Sequence, residues 1–184
     1  TSSLSLPGTS LRCLAASAAI ETELVEGLVE IDKADELDYL YLVDSFGASY
    51  SEQVTYYLEM YKKYAPNKEL GFHAHNNQQL AFANTIEAIV CGVNRLDATI
   101  SGIGRGAGNC PTELLLGFLK NPKFDMRPIY KVVQETILPL RETNDWGPSI
   151  PYHITGQYNR HPREAIAFRA GYWIVVRSTW PTIW

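Results

Sequence analysis

Two histidines one residue apart, His73 and His75, close the short apolar run Leu70-Gly-Phe-His-Ala-His75. In a β-strand successive side chains alternate faces. A strand here would point His73 and His75 one way, and Phe72 and Ala74 the other. Two imidazoles on one face can share a divalent cation. The same pair also reads as two solvated loop histidines. Its position after an apolar strand favours the cation, because loops at the C-terminal ends of parallel strands build active sites. Asn76 and Asn77 follow at once and add polar groups, with Asn76 a candidate to hold substrate.

Asp44 ends a second apolar run, Asp38-Tyr-Leu-Tyr-Leu-Val-Asp44. It is a candidate to orient a ligand histidine, bind metal or hold substrate, and equally a helix cap or loop hydrogen bond. Gly102-Ile-Gly-Arg-Gly-Ala-Gly-Asn109 is glycine-rich. Such a loop lets backbone N–H groups approach an anion, and Arg105 adds charge, which makes it a second substrate-binding candidate. A dinucleotide fingerprint fits poorly, because the loop follows the last of the strands rather than the first. A flexible connector is the plain alternative. Cys91 reads as packing, and Cys110 precedes Pro111 at a helix start without a clear base. His153 and His161 have no local partner pattern and read as surface residues.

The elements that must carry these residues alternate. Leu11 to Ala16 reads as a short strand and Glu21 to Glu30 as an amphipathic helix, with Leu24, Val25 and Leu28 at helical spacing. The Asp38–Asp44 run has the continuous apolar character of a strand buried on both faces. Helical spacing returns over Glu52 to Tyr64, Gln79 to Cys91 and Pro111 to Leu119, with strand-like runs at Leu70 to His75 and Arg95 to Ile100. Strands separated by helices of this length predict parallel βα units in an α/β fold. The last third differs. Pro128 to Arg141 and Arg163 to Ala170 read as helices, Trp146 to Pro151 as a Gly/Pro connection, and the aromatic tail 171–184 has no assigned role. One domain over 1–184 is expected, with βα repeats at 11–120 and a helical extension at 121–170.

Composition bounds the rest. The chain has 184 residues, is 46% apolar and 20% charged, and carries a net charge of −4. That suits a single globular domain and argues against a nucleic-acid-binding footprint. No apolar run is long enough for a membrane-spanning helix. Three dispersed cysteines predict a reduced, cytoplasmic setting. The opening residues have no basic start followed by an apolar core, so no signal peptide is expected.

Taken together, Gly71-Phe-His-Ala-His-Asn-Asn-Gln-Gln-Leu-Ala-Phe-Ala-Asn-Thr85, then Asp97, then Gly102–Asn109, resemble the metal-dependent aldolase and acyl-transfer superfamily of hydroxymethylglutaryl-CoA lyase, isopropylmalate and homocitrate synthases and 4-hydroxy-2-oxovalerate aldolase. Val43-Asp-Ser-Phe-Gly47 looks like that family's Asp-Thr/Ser-x-Gly segment. The resemblance runs from about Leu11 to Ala170. It implies a (β/α)8 barrel, here a partial one of about strands five to eight, followed by C-terminal helices. It implies a divalent metal, Mn, Mg or Zn, on His73, His75 and Asn109, and a loosely aligned catalytic tyrosine at Tyr158, with Asp44 as the other catalytic candidate. The implied substrate is a 2-oxo acid or acyl-CoA, and the implied assembly a homo-oligomer. The family's first-strand Asp-Gly-x-Arg-Asp/Glu motif, which supplies a metal ligand and the enolate-stabilising arginine, is absent. Two readings follow: a metal-dependent carbon–carbon lyase or aldolase in truncated form, and a non-catalytic half-barrel that assembles with itself or another chain.

Overall fold

Four parallel strands lie side by side in sequence order in the computed structural model, which describes residues 11–15 and 21–171, with side chains over 21–171. They are β1 (Leu11–Ala15), β2 (Tyr39–Asp44), β3 (Glu69–Ala74) and β4 (Arg95–Leu96). Helices α1 (Glu21–Asp32), α2 (Ser51–Tyr64) and α3 (Ala81–Val90) connect them, and α4 (Thr112–Leu119) follows the last. This is the expected α/β alternation with a parallel sheet.

Register decides which face each residue uses. Leu40 pairs with Leu70, Leu42 with Phe72 and Asp44 with Ala74. Leu40, Leu42, Leu70, Phe72 and Ala74 pack with Leu24, Leu28, Val54, Leu58, Tyr61 and Ala88 in the main apolar core. That face is therefore the one the helices cover. The alternate positions, Tyr39, Tyr41, Val43, Gly71 and His73, use the opposite face, with Val43 paired to His73. The ring of Tyr41 lies where a Cβ on residue 71 would stand, so glycine is required there.

The third run is shorter than its sequence implied. The expected strand Arg95–Ile100 pairs with β3 only over Arg95–Leu96. Beyond it the backbone bonds forward to the glycine loop: Thr99 N–H donates to Cys110 O at 3.0 Å, and Thr112 N–H to Thr99 O at 2.9 Å. A single 3-10 turn, Ile100–Gly102, follows.

The last third is helical, as expected. Residues 127–143 form one continuous rod: α5 (Arg127–Val132), a π-helical turn (Val133–Ile137) and α6 (Leu138–Thr143). The wide turn immediately precedes Pro139, which has no N–H to continue the α-helical ladder. The sequence did not announce α7 (Ile150–Gln157), whose first two residues fall where a Gly/Pro connection was expected; Pro151 occupies its first turn, where a missing N–H costs nothing. Last comes α8 (Arg163–Arg169). A second apolar cluster, Ala107, Tyr152 and Ala165 with Ile166, ties α7 and α8 to the glycine loop. Of the aromatic tail 171–184, residues 172–184 lie outside the described residues. Among the described residues no helix is long and apolar enough to cross a membrane.

Candidate metal centre at the C-terminal end of the sheet

His73 and His75 come to one side of β3. Their ring centroids are 5.2 Å apart and the rings meet edge to face. Strand pairing continues one residue past β3, where His75 forms an antiparallel bridge with Asn109. Asn76 N–H donates to Gly108 O at 2.9 Å, which locks the glycine loop against the strand end. Two glycines make that closeness possible. Gly108 has φ +84°, and a Cβ there would strike the Gly102 carbonyl; Gly104 leaves the space that the Asn109 carboxamide fills.

The pair's polar atoms are unequally satisfied. His73 Nδ1 lies 3.2 Å from Asp97 Oδ2, so the proton belongs on Nδ1 and the lone pair on Nε2. Among the described residues His75 Nδ1 is buried without a hydrogen-bond partner, and so is Asn109 Oδ1. Asn109 uses its amide instead, donating from Nδ2 to Ile103 O at 3.1 Å. Burial, then the nearby Arg105 guanidinium and His73, pushes the His75 imidazole down to about 4. His75 is thus a neutral lone-pair donor at neutral pH. Two bridged residues each offering an unused buried acceptor is what a cation site requires. The donor set fits a divalent cation, although among the described residues no three His, Cys, Asp or Glu side chains are gathered around one point.

The other sequence candidates fall in different places. Arg105 reaches the site: its Nη2 donates to Ser45 O at 2.7 Å, and its Nη1 lies 3.4 Å from His161 Nε2. Asp44 does not, because its side chain leaves β2 on the helix-covered face. It is 3% exposed, and its oxygens accept from Ala48 N–H at 3.1 Å and Ser49 N–H at 3.0 Å. That is the loop hydrogen bond weighed against a functional role. Burial still dominates, raising the Asp44 carboxyl above its usual range against the pull of those amides. Asn76 spends its carbonyl oxygen on Ala81 N–H at 3.1 Å, at the start of α3. Tyr158 ends α7 and is 52% exposed, and no contact between its hydroxyl and the two imidazoles is seen among the described residues. Cys110 is fully buried, with its thiol pushed up by that burial, and Cys91 caps α3 with Sγ near Thr55.

Two groups at the site were not singled out for it by spacing. Asp97 was visible only as part of a family motif. His161 read as surface; it lies just before α8 and meets Arg105 from 56 residues away along the chain. No local pattern encodes that meeting.

The HMGL-like family model matches residues 9–135. The chain belongs to the HMGL-like family. Among its curated relatives, 4-hydroxy-2-oxovalerate aldolase of Pelotomaculum thermopropionicum is 41% identical over 97 residues, covering 52% of this chain and 28% of that protein. The enzyme of the same name from Bacillus cereus (strain 03BB102) is 37% identical over 123 residues, covering 63% of this chain and 36% of that protein. The HMGL-like chain therefore spans about a third of the length of the curated relatives it matches. Among solved structures, the N-terminal domain of a candidate aldolase from Bacteroides vulgatus aligns over 91% of this chain and 56% of its own, with 32% identity and a TM-score of 0.77. The carboxyl transferase domain of Rhizobium etli pyruvate carboxylase, solved with pyruvate, shares the fold at a TM-score of 0.63 and 17% identity, over 89% of this chain and 30% of that one.

Proposed function

We propose that this HMGL-like chain carries the metal-binding half of an aldolase or lyase that makes or breaks a carbon–carbon bond in a 2-oxo acid or acyl-CoA. One observation carries the reading: His75 Nδ1 and Asn109 Oδ1 are buried, bridged to each other's residues and unpartnered. The relatives named 4-hydroxy-2-oxovalerate aldolase support the reaction class. In this reading His73, His75 and Asn109 hold a divalent cation, Mn, Mg or Zn. When bound, that cation supplies Lewis acidity to a substrate carbonyl oxygen.

The chain's own residues do the remaining work. Asp97 holds the proton on His73 Nδ1 and so aims Nε2 away from itself. Burial keeps His75 neutral. Arg105, fixed by the Ser45 carbonyl, balances the negative charge of a carboxylate substrate. Asp44, in this reading, acts by holding the Ala48–Ser49 loop beside the strand end. Tyr158 would need to approach with substrate to serve as an acid or base. The four-strand sheet corresponds to strands five to eight of a (β/α)8 barrel, with the helices from Arg127 onward as an extension, in a cytoplasmic homo-oligomer.

Metal analysis tests this directly. The purified chain is expected to retain Mn or Zn after desalting, and His73→Ala/His75→Ala to lose it. Equal metal content in the two proteins overturns the reading.

A second reading, a non-catalytic half-barrel that assembles with itself or another chain, has an observation of its own. Among the described residues each end strand, β1 and β4, pairs on one side only, and an unpaired strand edge is a template for further pairing.

A further inference from the structure

His161 faces more donors than it can satisfy. Arg163 N–H donates to its Nδ1 at 3.0 Å. The guanidinium Nη1 of Arg105 approaches its Nε2 at 3.4 Å. A neutral imidazole has one lone pair and one N–H. The shorter backbone bond claims the lone pair on Nδ1, which leaves a proton on Nε2. Two N–H donors then point at each other across 3.4 Å with no acceptor between them.

The surroundings hold both donors where they are. Ser45 O fixes Arg105 through Nη2, with Nη1 directed at His161. The ring of Phe46 meets the His161 ring edge-on, with centroids 5.6 Å apart. Among the described residues no carboxylate pairs with Arg105. The neighbouring groups are His75, whose imidazole feels both Arg105 and His161, and Arg163. Burial and the two arginines also hold the His161 imidazole below its ordinary range, so protonation does not relieve the conflict. An anionic oxygen set to one side of the Nη1···Nε2 line does relieve it, because small turns of the guanidinium and the imidazole let both N–H groups donate to it at ordinary hydrogen-bond length.

We propose that Arg105 and His161 form a carboxylate-binding subsite beside the histidine pair, filled by one oxygen of a small monocarboxylate. That the monocarboxylate is a 2-oxo acid rests on the function proposed above; the subsite itself does not require the metal. A charged, planar carboxylate offers the two-lone-pair oxygen that two converging N–H groups need.

The test uses the full chain in EDTA, so that metal plays no part, with pyruvate as the probe. Long-range 1H–15N spectra of the imidazoles are expected to show His161 with its proton on Nε2, and its Nε2 signal to shift as pyruvate saturates. Arg105→Gln and His161→Leu are each expected to weaken pyruvate binding at least about tenfold, since each removes a hydrogen bond to a charged oxygen. His161→Gln, which keeps an N–H donor near the Nε2 position, should recover most of that loss. The neutral amide of pyruvate should bind at least about tenfold more weakly than pyruvate. EDTA removes metal from every arm of the test, so that failure of the metal reading leaves this result standing. The proposal is overturned by a proton on Nδ1, by no saturable pyruvate binding, by unchanged affinity in Arg105→Gln and His161→Leu, or by inorganic phosphate binding more tightly than pyruvate.

Discussion

His75 differs from its neighbour His73 in the way each imidazole is satisfied. His73 donates from Nδ1 to Asp97, whereas His75 lies against the Asn109 bridge with its Nδ1 buried and, among the described residues, unpartnered. The His75 titration midpoint is therefore expected near pH 4, measured by imidazole NMR, against about 6.5 for a free histidine. A folded-state value below the unfolded one has a definite sign. Its contribution to stability is complete above pH 6.5 and is lost as pH falls towards about 4, because only the unfolded chain binds the proton in that window. Urea unfolding at pH 7 and pH 5 should show that loss, and His75→Asn should reduce it. A midpoint near 6.5 would refute the argument. At this scale the sequence was partly legible. Alternation along a strand was enough to put the two imidazoles on one side. The same alternation, counted from Leu42 to Asp44, also sends Asp44 to the helix side, since residues two apart share a face. That step needed the knowledge that the helices cover the Leu42 face. His161 was hidden because its partner is far away in sequence and no periodicity links them.

At the level of elements, the glycine loop is as important as the strand it closes. Gly108 has φ +84° and passes so close to the Gly102 carbonyl that no side chain fits. Gly108→Ala is expected to destabilise the fold by about 1–3 kcal/mol and to lower the retained metal, because Asn109 follows directly on the chain. Thermal melts and metal analysis together check this; an unchanged melting temperature would count against it. Helices α1 to α4 were readable from apolar spacing to within one or two residues. The fourth strand was not, because Thr99 directs its hydrogen bonds to Cys110 and Thr112 rather than to β3, a tertiary choice with no local signature. Nor was α7 readable, since its Pro151 resembles a loop residue unless the first helical turn is known to begin just before it.

Over the whole molecule, the open sheet is joined by a run of exposed apolar side chains. Leu114, Phe118, Phe124, Tyr130 and Leu138 are each at least half exposed. Exposed apolar surface together with unpaired strand edges favours association. Sedimentation velocity at micromolar concentration is expected to give a species heavier than the 20.6 kDa chain. A single boundary at the monomer mass would dispose of the assembling half-barrel. The alternation of strand-like and helical patterns foresaw the parallel α/β sheet, and the chain's motifs foresaw its family. The relation of this chain to a complete barrel was beyond both, because strand count along a sequence does not say which edges meet.

The strand order has a kinetic side. Each strand pairs with the next one 24–30 residues along, and among the described residues none reaches past its neighbour. Pairings of such short span involve modest loop-closure cost. A chain emerging from the ribosome therefore never has to wait for its far end before adding the next strand, and stalled synthesis after α2 or α3 would leave a smaller sheet with the same neighbours.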